Sequence, residues 1–399
     1  MLGFLRHAPQ SRRTLYFGSI MHIWSDLYFA LMFPLLLLIQ EDMDLSFTEI
    51  GVLRAVFSGA SGVLQIPAGF LAESMGEFWL LVGGNIWVSV GLMGMALSPV
   101  FVVLLIVSFL GGLGGGFQHP LASSMVSRAY DDKGRSTAVG TVNFAGDIGK
   151  MIAPPLVAGA IALSLGWRDI LWVVALAGLV FMALSMLTRR SVDLGRPAKE
   201  SSDAVRDDSD GARQKGFLAL SGIGFLDSTA RTAALTFIPF VLIAKELTTA
   251  EAINMLFFVF LGGGVGKFVV GWLGERFSTV SLIWATKGLT AVLLVLSIFA
   301  PPIALIPLMV ALGFGLNGTS SILYATVAEY VPPTRRARYY GFYYTTNEIG
   351  TILAPIAYGV IADFFSLNVT MTVMGIVTAS ILPASLTLRK YGRARVAKS

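Results

Sequence analysis

The chain has no cysteine and only three histidines among its 399 residues. The first absence removes disulfides, thiolate metal sites and thiol chemistry, and says nothing of compartment. Charge is also scarce: 13% of residues are charged, where a soluble chain carries about 25%. With 55% hydrophobic residues and a mean hydropathy of +0.73, such a chain cannot be solvated all round. The net charge of +5 is spread over short loops. No basic stripe is interleaved with exposed aromatics, so nucleic acid is not an expected partner. The basic start, Met1 to Arg13, runs into an apolar stretch that lacks a small-residue cleavage site and is interrupted by Trp24, Asp26 and Pro34. It reads as a retained first spanning helix and not as a signal peptide.

What is present is a duplication. Residues 146–154, Gly-Asp-Ile-Gly-Lys-Met-Ile-Ala-Pro, return as residues 347–355, Asn-Glu-Ile-Gly-Thr-Ile-Leu-Ala-Pro, at an offset of 201. At nearly the same offset Asp26 matches Asp227, Arg135 matches Arg336, and Gly69-x-Leu71-x-Glu73 matches Gly271-x-Leu273-x-Glu275. Internal repeats with acidic residues at matching depths in apolar segments are how alternating-access transporters are built.

A hydrocarbon core about 30 Å thick takes about 20 apolar residues per helix. Twelve stretches qualify, near 15–39, 50–72, 78–98, 101–126, 137–162, 168–187, 217–243, 250–273, 279–299, 302–328, 339–362 and 368–388. The expected fold class is therefore an all-α membrane protein, with twelve transmembrane helices in two pseudo-symmetric six-helix bundles. Residues 189–215 are polar and rich in Ser, Asp and Gly, and read as a cytoplasmic linker between an N-terminal half, 1–188, and a C-terminal half, 216–399. Lys and Arg gather in loops after even-numbered segments (Arg128, Lys133, Arg135, Arg189, Arg190, Arg276, Arg335) and at both termini. The opposite loops offer little beyond Arg168 and Lys245, and the first holds Glu41, Asp42, Asp44 and Glu49. The distribution predicts a multi-pass protein of the inner (plasma) membrane with both termini in the cytoplasm.

A charge at the bilayer centre costs about 2.5–3.5 kcal/mol on insertion scales, so each one kept is a functional candidate. His22 and Asp26 are spaced i, i+4 in the first segment, on one helix face, and can hold or pass a proton. The bland alternative is a structural hydrogen bond between helices. His119 follows the glycine run 111–116 and precedes Pro120, which points to a bent helix with a histidine in a polar cavity or to a satisfied structural histidine. Asp147 with Lys150, and Asp227 with Arg231, are either switching salt bridges or mutual neutralisation. Glu348 and Thr351 stand where the first half has Asp147 and Lys150. Asn317, with Asp227, Arg231 and Glu348, is expected to face the same cavity as the first-half residues. Lys267 and Lys287 are lone ammoniums expected to snorkel to the cytoplasmic side. Arg54 is expected near the acidic first loop or an anionic substrate.

Two tempting matches fail. Gly262-Gly-Gly-Val-Gly-Lys267-Phe268 lacks the spacing and the final Ser/Thr of a phosphate loop and lies in an apolar segment. The glycine run at 111–116 has no preceding strand to make a dinucleotide site. No cofactor or resident metal is expected, and transport must be driven by an ion gradient or by the substrate's own.

With paired halves and a central linker, the whole chain resembles the major facilitator superfamily. The loop signature of that superfamily, Gly-x-Leu-x-Asp-Arg, is approached by Gly271-Trp-Leu-Gly-Glu275-Arg276 and degraded to Gly69-Phe-Leu-Ala-Glu73-Ser74 in the first half. The resemblance implies a conformational latch at these residues, near-complete only in the second half. His22-x-x-x-Asp26, with the run Gly112 to Pro120 ending in Phe117-Gln118-His119-Pro120, is similar to the fosmidomycin-resistance branch. That resemblance implies proton-coupled antiport, as efflux, of a small polar or anionic compound by a monomer in the lipid bilayer. The matched acidic residues of the two halves lead to the expectation that Asp26, with His22, carries the coupling proton and that His119 and Asp147 shape the polarity of the cavity. The alternatives are uptake of a metabolite or of a divalent metal held by His22, Asp26 and His119, or a non-transporting membrane sensor or assembly protein. No enzymatic activity is expected.

Overall fold

The computed structural model describes residues 9–130, 132–192, 211–331 and 336–392. Every regular element among them is helical. In chain order these are α1 (Gln10–Met43), α2 (Phe47–Met75), α3 (Glu77–Ala96) and α4 (Phe101–Gly112). A 3₁₀ turn, Leu113–Phe117, leads into α5 (Gln118–Ala129), followed by α6 (Asp132–Ala162) and α7 (Trp167–Ser185). The remainder are α8 (Gly211–Ile243), α9 (Thr249–Leu273), α10 (Thr279–Phe299), α11 (Pro302–Tyr330), α12 (Arg336–Phe364) and α13 (Leu367–Gly392).

Eleven spans among the described residues are long and apolar enough to cross a membrane, with α4, the 3₁₀ turn and α5 making one span, Phe101–Ala129. The helix that falls short of the twelve expected is α12. It has 29 residues, ample for the bilayer core at about 1.5 Å per residue. Its composition is the obstacle: Tyr339, Tyr340, Tyr343, Tyr344, Thr345, Thr346, Asn347 and Glu348 crowd one stretch. Of the expected linker, residues 193–210 lie outside the described set, as do residues 1–8, 131, 332–335 and 393–399, so the terminal cations Arg6, Arg393, Arg395 and Lys398 and the loop cation Arg335 fall there too. Residues 211–215 open α8.

The helices gather into two compact units, Met1–Asp44 with Val56–Ser201, and Leu45–Ala55 with Ser202–Ser399. The first unit packs around Phe17, Met21, Phe78, Leu81, Leu121 and Met125. In it α1 lies along α6, and α3 crosses α4 where Gly91 meets Gly111. A β-carbon on Gly91 would come within 2.3 Å of the Gly111 Cα. Small residues thus let two backbones touch, the usual way membrane helices gain packing. At the α2–α3 junction Gly76 takes φ 81°, a left-handed value that costs a side-chain-bearing residue about 1 kcal/mol or more.

The second unit packs around Phe217, Leu220, Ile223, Leu323, Val327 and Tyr343. Its α9 and α11 pack along the glycines that mimic a phosphate loop. Gly262 abuts the Val310 carbonyl and Gly266 the Phe314 backbone, so the run is a packing seam inside a helix. Thr248 and Glu251 form a capping box at the start of α9. The first turn of α2 is capped from α12: Asp363 accepts from the backbone N–H groups of Phe47 and Thr48, each at 2.8 Å, and from the Thr48 hydroxyl.

Candidate functional site

In the first unit α1 carries His22 and Asp26 on its buried face, with 2% and 3% of their surface exposed. The i, i+4 spacing puts His22 Nε2 3.7 Å from Asp26 Oδ2. The glycine run ends in the 3₁₀ turn, and the first turn of α5 then swings His119 toward α1. His119 Nδ1 lies 3.0 Å from His22 Nε2, and His119 Nε2 lies 3.7 Å from Asp26 Oδ1. From α6, Lys150 Nζ reaches Asp26 Oδ2 at 3.0 Å and Asp147 Oδ1 at 3.2 Å. The sequence spacing suggested only the Asp147–Lys150 contact; the lysine bridges both carboxylates.

Gly146 is what allows this convergence. A β-carbon there would sit 2.4 Å from Asp26 Oδ2 and 2.9 Å from His22 Nε2. One turn on, a β-carbon on Gly149 would lie 2.2 Å from the Ile23 carbonyl. The repeat element Gly-Asp-Ile-Gly therefore lays α6 directly on the His22–Asp26 face of α1.

Two properties of the cluster bear on its chemistry. The imidazole nitrogens of His22 and His119 face each other at hydrogen-bond distance, so one must donate and the other accept, and the pair shares a proton between them. With both rings neutral, two carboxylates and one ammonium leave the cluster one negative charge in excess, and a single added proton neutralises it. Burial makes that imbalance costly. His119 has 55% of its side chain exposed and Asp26 only 4%, so the histidine is the open edge of a cluster whose carboxylate is buried.

The second unit builds its counterpart differently. Asp227 is nearly fully buried, with Arg231 Nη2 3.7 Å from its Oδ2. Its close partner is Lys287 from α10, whose ammonium pairs with Asp227 Oδ1. Lys287 is fully buried and also donates to the carbonyls of Gly315 and Leu316 at 3.1 and 3.3 Å. The expectation that Lys287 snorkels to an interface is thus wrong: a carboxylate and two helix carbonyls satisfy it in place. Lys267 stays half-buried. Glu348 lies within electrostatic reach of Arg54 and Arg231. Arg54 is buried, and its charge lies within reach of Glu348. Where the first half has Lys150, Thr351 receives a hydroxyl hydrogen bond from Thr232 at 3.4 Å.

Asn317 does not join this cluster. Its amide bonds back to the Gly313 carbonyl at 3.4 Å, and its side chain packs on Gly263 of α9. Of the loop residues, Gly69, Glu73, Gly271, Glu275 and Arg276 are all exposed. The Arg276 guanidinium rests over the Trp272 ring, 4.4 Å from its centroid. In the first half, by contrast, the buried Glu77 accepts a bidentate pair from Arg128. Glu77 sits where the loop signature continues, and 51 residues separate it from its partner, so no local spacing signals the pair.

Residues 15–218 and 220–398 match the Major Facilitator Superfamily. The fosmidomycin resistance protein of Escherichia coli is 24% identical over 367 residues, 88% of this chain and 86% of that protein. The gentisate transporter of Corynebacterium glutamicum is 25% identical over 361 residues, 87% of this chain and 80% of that protein. Among solved structures, a bacterial homologue of the human lysosomal transporter Spinster superposes with a TM-score of 0.79 at 15% identity, covering 97% of both chains. Family match, helical fold and buried charges converge: the chain belongs to the Major Facilitator Superfamily of membrane transporters.

Proposed function

We propose that the protein is a proton-coupled secondary transporter that exports a small polar or anionic compound by alternating access. The observation that carries this reading is the first-unit cluster, in which Asp26, Asp147 and Lys150 lie one proton short of neutrality beside a hydrogen-bonded histidine pair. Asp26 and His22 hold the coupling proton, and His119 passes it to and from water. The second unit has the opposite excess: Arg54, Arg231 and Lys287 outnumber Asp227 and Glu348 by one charge. That surplus cation suits an anionic substrate, with Arg231 as the group that meets it, because Lys287 is already occupied by Asp227. Relatives named for fosmidomycin resistance and for gentisate transport are consistent with small anionic cargo. Residues 1–188 and 216–399 act as the two moving halves, joined by a cytoplasmic linker. The chain works as a monomer in the inner membrane with both termini in the cytoplasm, as the loop cations direct.

The charge count also favours a second reading on direction. A proton that neutralises the first cluster and an anion that neutralises the second assist each other, which suits uptake by symport. Proteoliposomes with an internal pH dye and a panel of small carboxylates separate the two. Carboxylate added outside alkalinises the lumen in antiport and acidifies it in symport. In either case Asp26→Asn abolishes substrate-linked proton flux while substrate–substrate exchange continues. If Asp26→Asn accumulates substrate against a proton gradient as well as the parent, the proton site is elsewhere.

A further inference from the structure

The three groups that make the proton relay also form a ligand set. One donor atom from each of His22, Asp26 and His119 lies within 4.8 Å of the others. A tetrahedral zinc ion with bonds of about 2.0–2.1 Å holds neighbouring ligand atoms about 3.4 Å apart. His22 Nε2 lies 3.0 Å from His119 Nδ1 and 3.7 Å from Asp26 Oδ2, on either side of that value. His119 meets the other carboxylate oxygen through its other nitrogen, Nε2 to Oδ1 at 3.7 Å, so gathering one atom from each residue onto an ion needs a small rotation of the exposed imidazole. Two imidazoles and one carboxylate are the donor types that select zinc and its neighbours over calcium or magnesium. The exposed His119 supplies an entry path, and a fourth position remains for water.

Lys150 is the apparent obstacle, since its ammonium sits 3.0 Å from Asp26. It is already 3.2 Å from Asp147, and a third of its side chain is exposed. It can give up Asp26 and remain neutralised by Asp147.

We infer that His22, Asp26 and His119 form a site for a borderline divalent cation, zinc foremost, which displaces the coupling proton and arrests transport. The arrest rests on the proton-coupling reading; the binding does not. The chain offers no cysteine and only one histidine besides these two, so few competing zinc sites exist.

The test is calorimetric titration of the purified full-length protein with zinc chloride near neutral pH, in two buffers of different ionisation enthalpy, with magnesium chloride as the control. The expected result is one saturable zinc site with proton release, no magnesium binding, and binding weakened by about tenfold or more in His119→Ala, since even outer-shell changes at metal sites cost 10–100-fold. His119 is exposed, so this variant keeps its fold; its unfolding temperature without zinc verifies that. Absence of a saturable site, or zinc binding unchanged in His119→Ala, overturns the inference. Zinc binding that depends on His119 but leaves transport running overturns only the arrest. Should Asp26→Asn remain proton-coupled while zinc still binds the parent through His119, the coupling reading falls and the metal site stands.

Discussion

Replacing Lys287 with methionine keeps an unbranched side chain one atom shorter and removes its charge and its hydrogen bonds, which tests the polar part of a fully buried contact. Lys287 gives Asp227 its closest countercharge and bonds two carbonyls of α11, at 3.1 and 3.3 Å. Breaking a buried ion pair from one side costs about 3–5 kcal/mol, because the remaining charge is stranded. Arg231, 3.7 Å from Asp227, partly compensates, which places Lys287→Met at the lower end, about 3 kcal/mol. At about 2–4 °C per kcal/mol for a unit of 150–250 residues, the unfolding temperature falls by about 6–12 °C. The assay is thermal unfolding of detergent-purified protein followed by tryptophan fluorescence, on parent, Lys287→Met, Asp227→Asn and the double variant. The double variant removes both charges and should recover most of the loss. A lysine that snorkelled to an interface would cost no more than about 0.5 kcal/mol. A single variant within 1–2 °C of the parent, or a double variant no more stable than either single, refutes the buried pair.

Gly146→Ala inserts a methyl group between Asp26 and His22 and should destabilise by about 1–3 kcal/mol through overpacking, while cutting substrate-linked proton flux far more than Gly140→Ala, whose β-carbon meets nothing within 4 Å. Flux in proteoliposomes at matched protein content distinguishes the two. Asp363→Ala removes the cap on the first turn of α2 and should cost about 1 kcal/mol, with Asp363→Asn, which keeps an acceptor, costing less. Equal loss in both variants, read by thermal unfolding, would show that the carboxyl oxygen does not cap the helix.

Much of the architecture is legible in the sequence because membrane helices announce themselves by length and apolarity. The i, i+4 rule likewise brings His22 and Asp26 together without a structure. The Asp26–Lys150 contact is not legible in this way, because the spacing explains Lys150 fully through Asp147 and gives no reason to look across to α1. Lys287 is harder still. Sixty residues part it from Asp227, and the 201-residue offset sets it against Ile86, so neither helical periodicity nor internal symmetry marks it. The two halves place carboxylates at matching positions of the repeat but neutralise them from different helices. Repeat logic transfers a scaffold position, not the partner that later settles beside it.

The polarity of α12 has a consequence for how the chain is made. A translocon sorts helices by how willingly lipid accepts them, and a stretch holding four tyrosines, two threonines, an asparagine and a glutamate is a poor candidate on its own. Its hydrophilic side finds a home against α8, where Ser228 donates to the Asn347 carbonyl at 2.8 Å and Gly350 lies close against the Ser228 hydroxyl. α8 is synthesised more than a hundred residues earlier and must wait in the bilayer, its own Asp227 not yet shielded by Lys287 until α10 arrives. For α12 the order of synthesis therefore matters: its polar side has a partner in α8, which is already made when α12 emerges, whereas the other described helices of the second half are apolar enough to span without one.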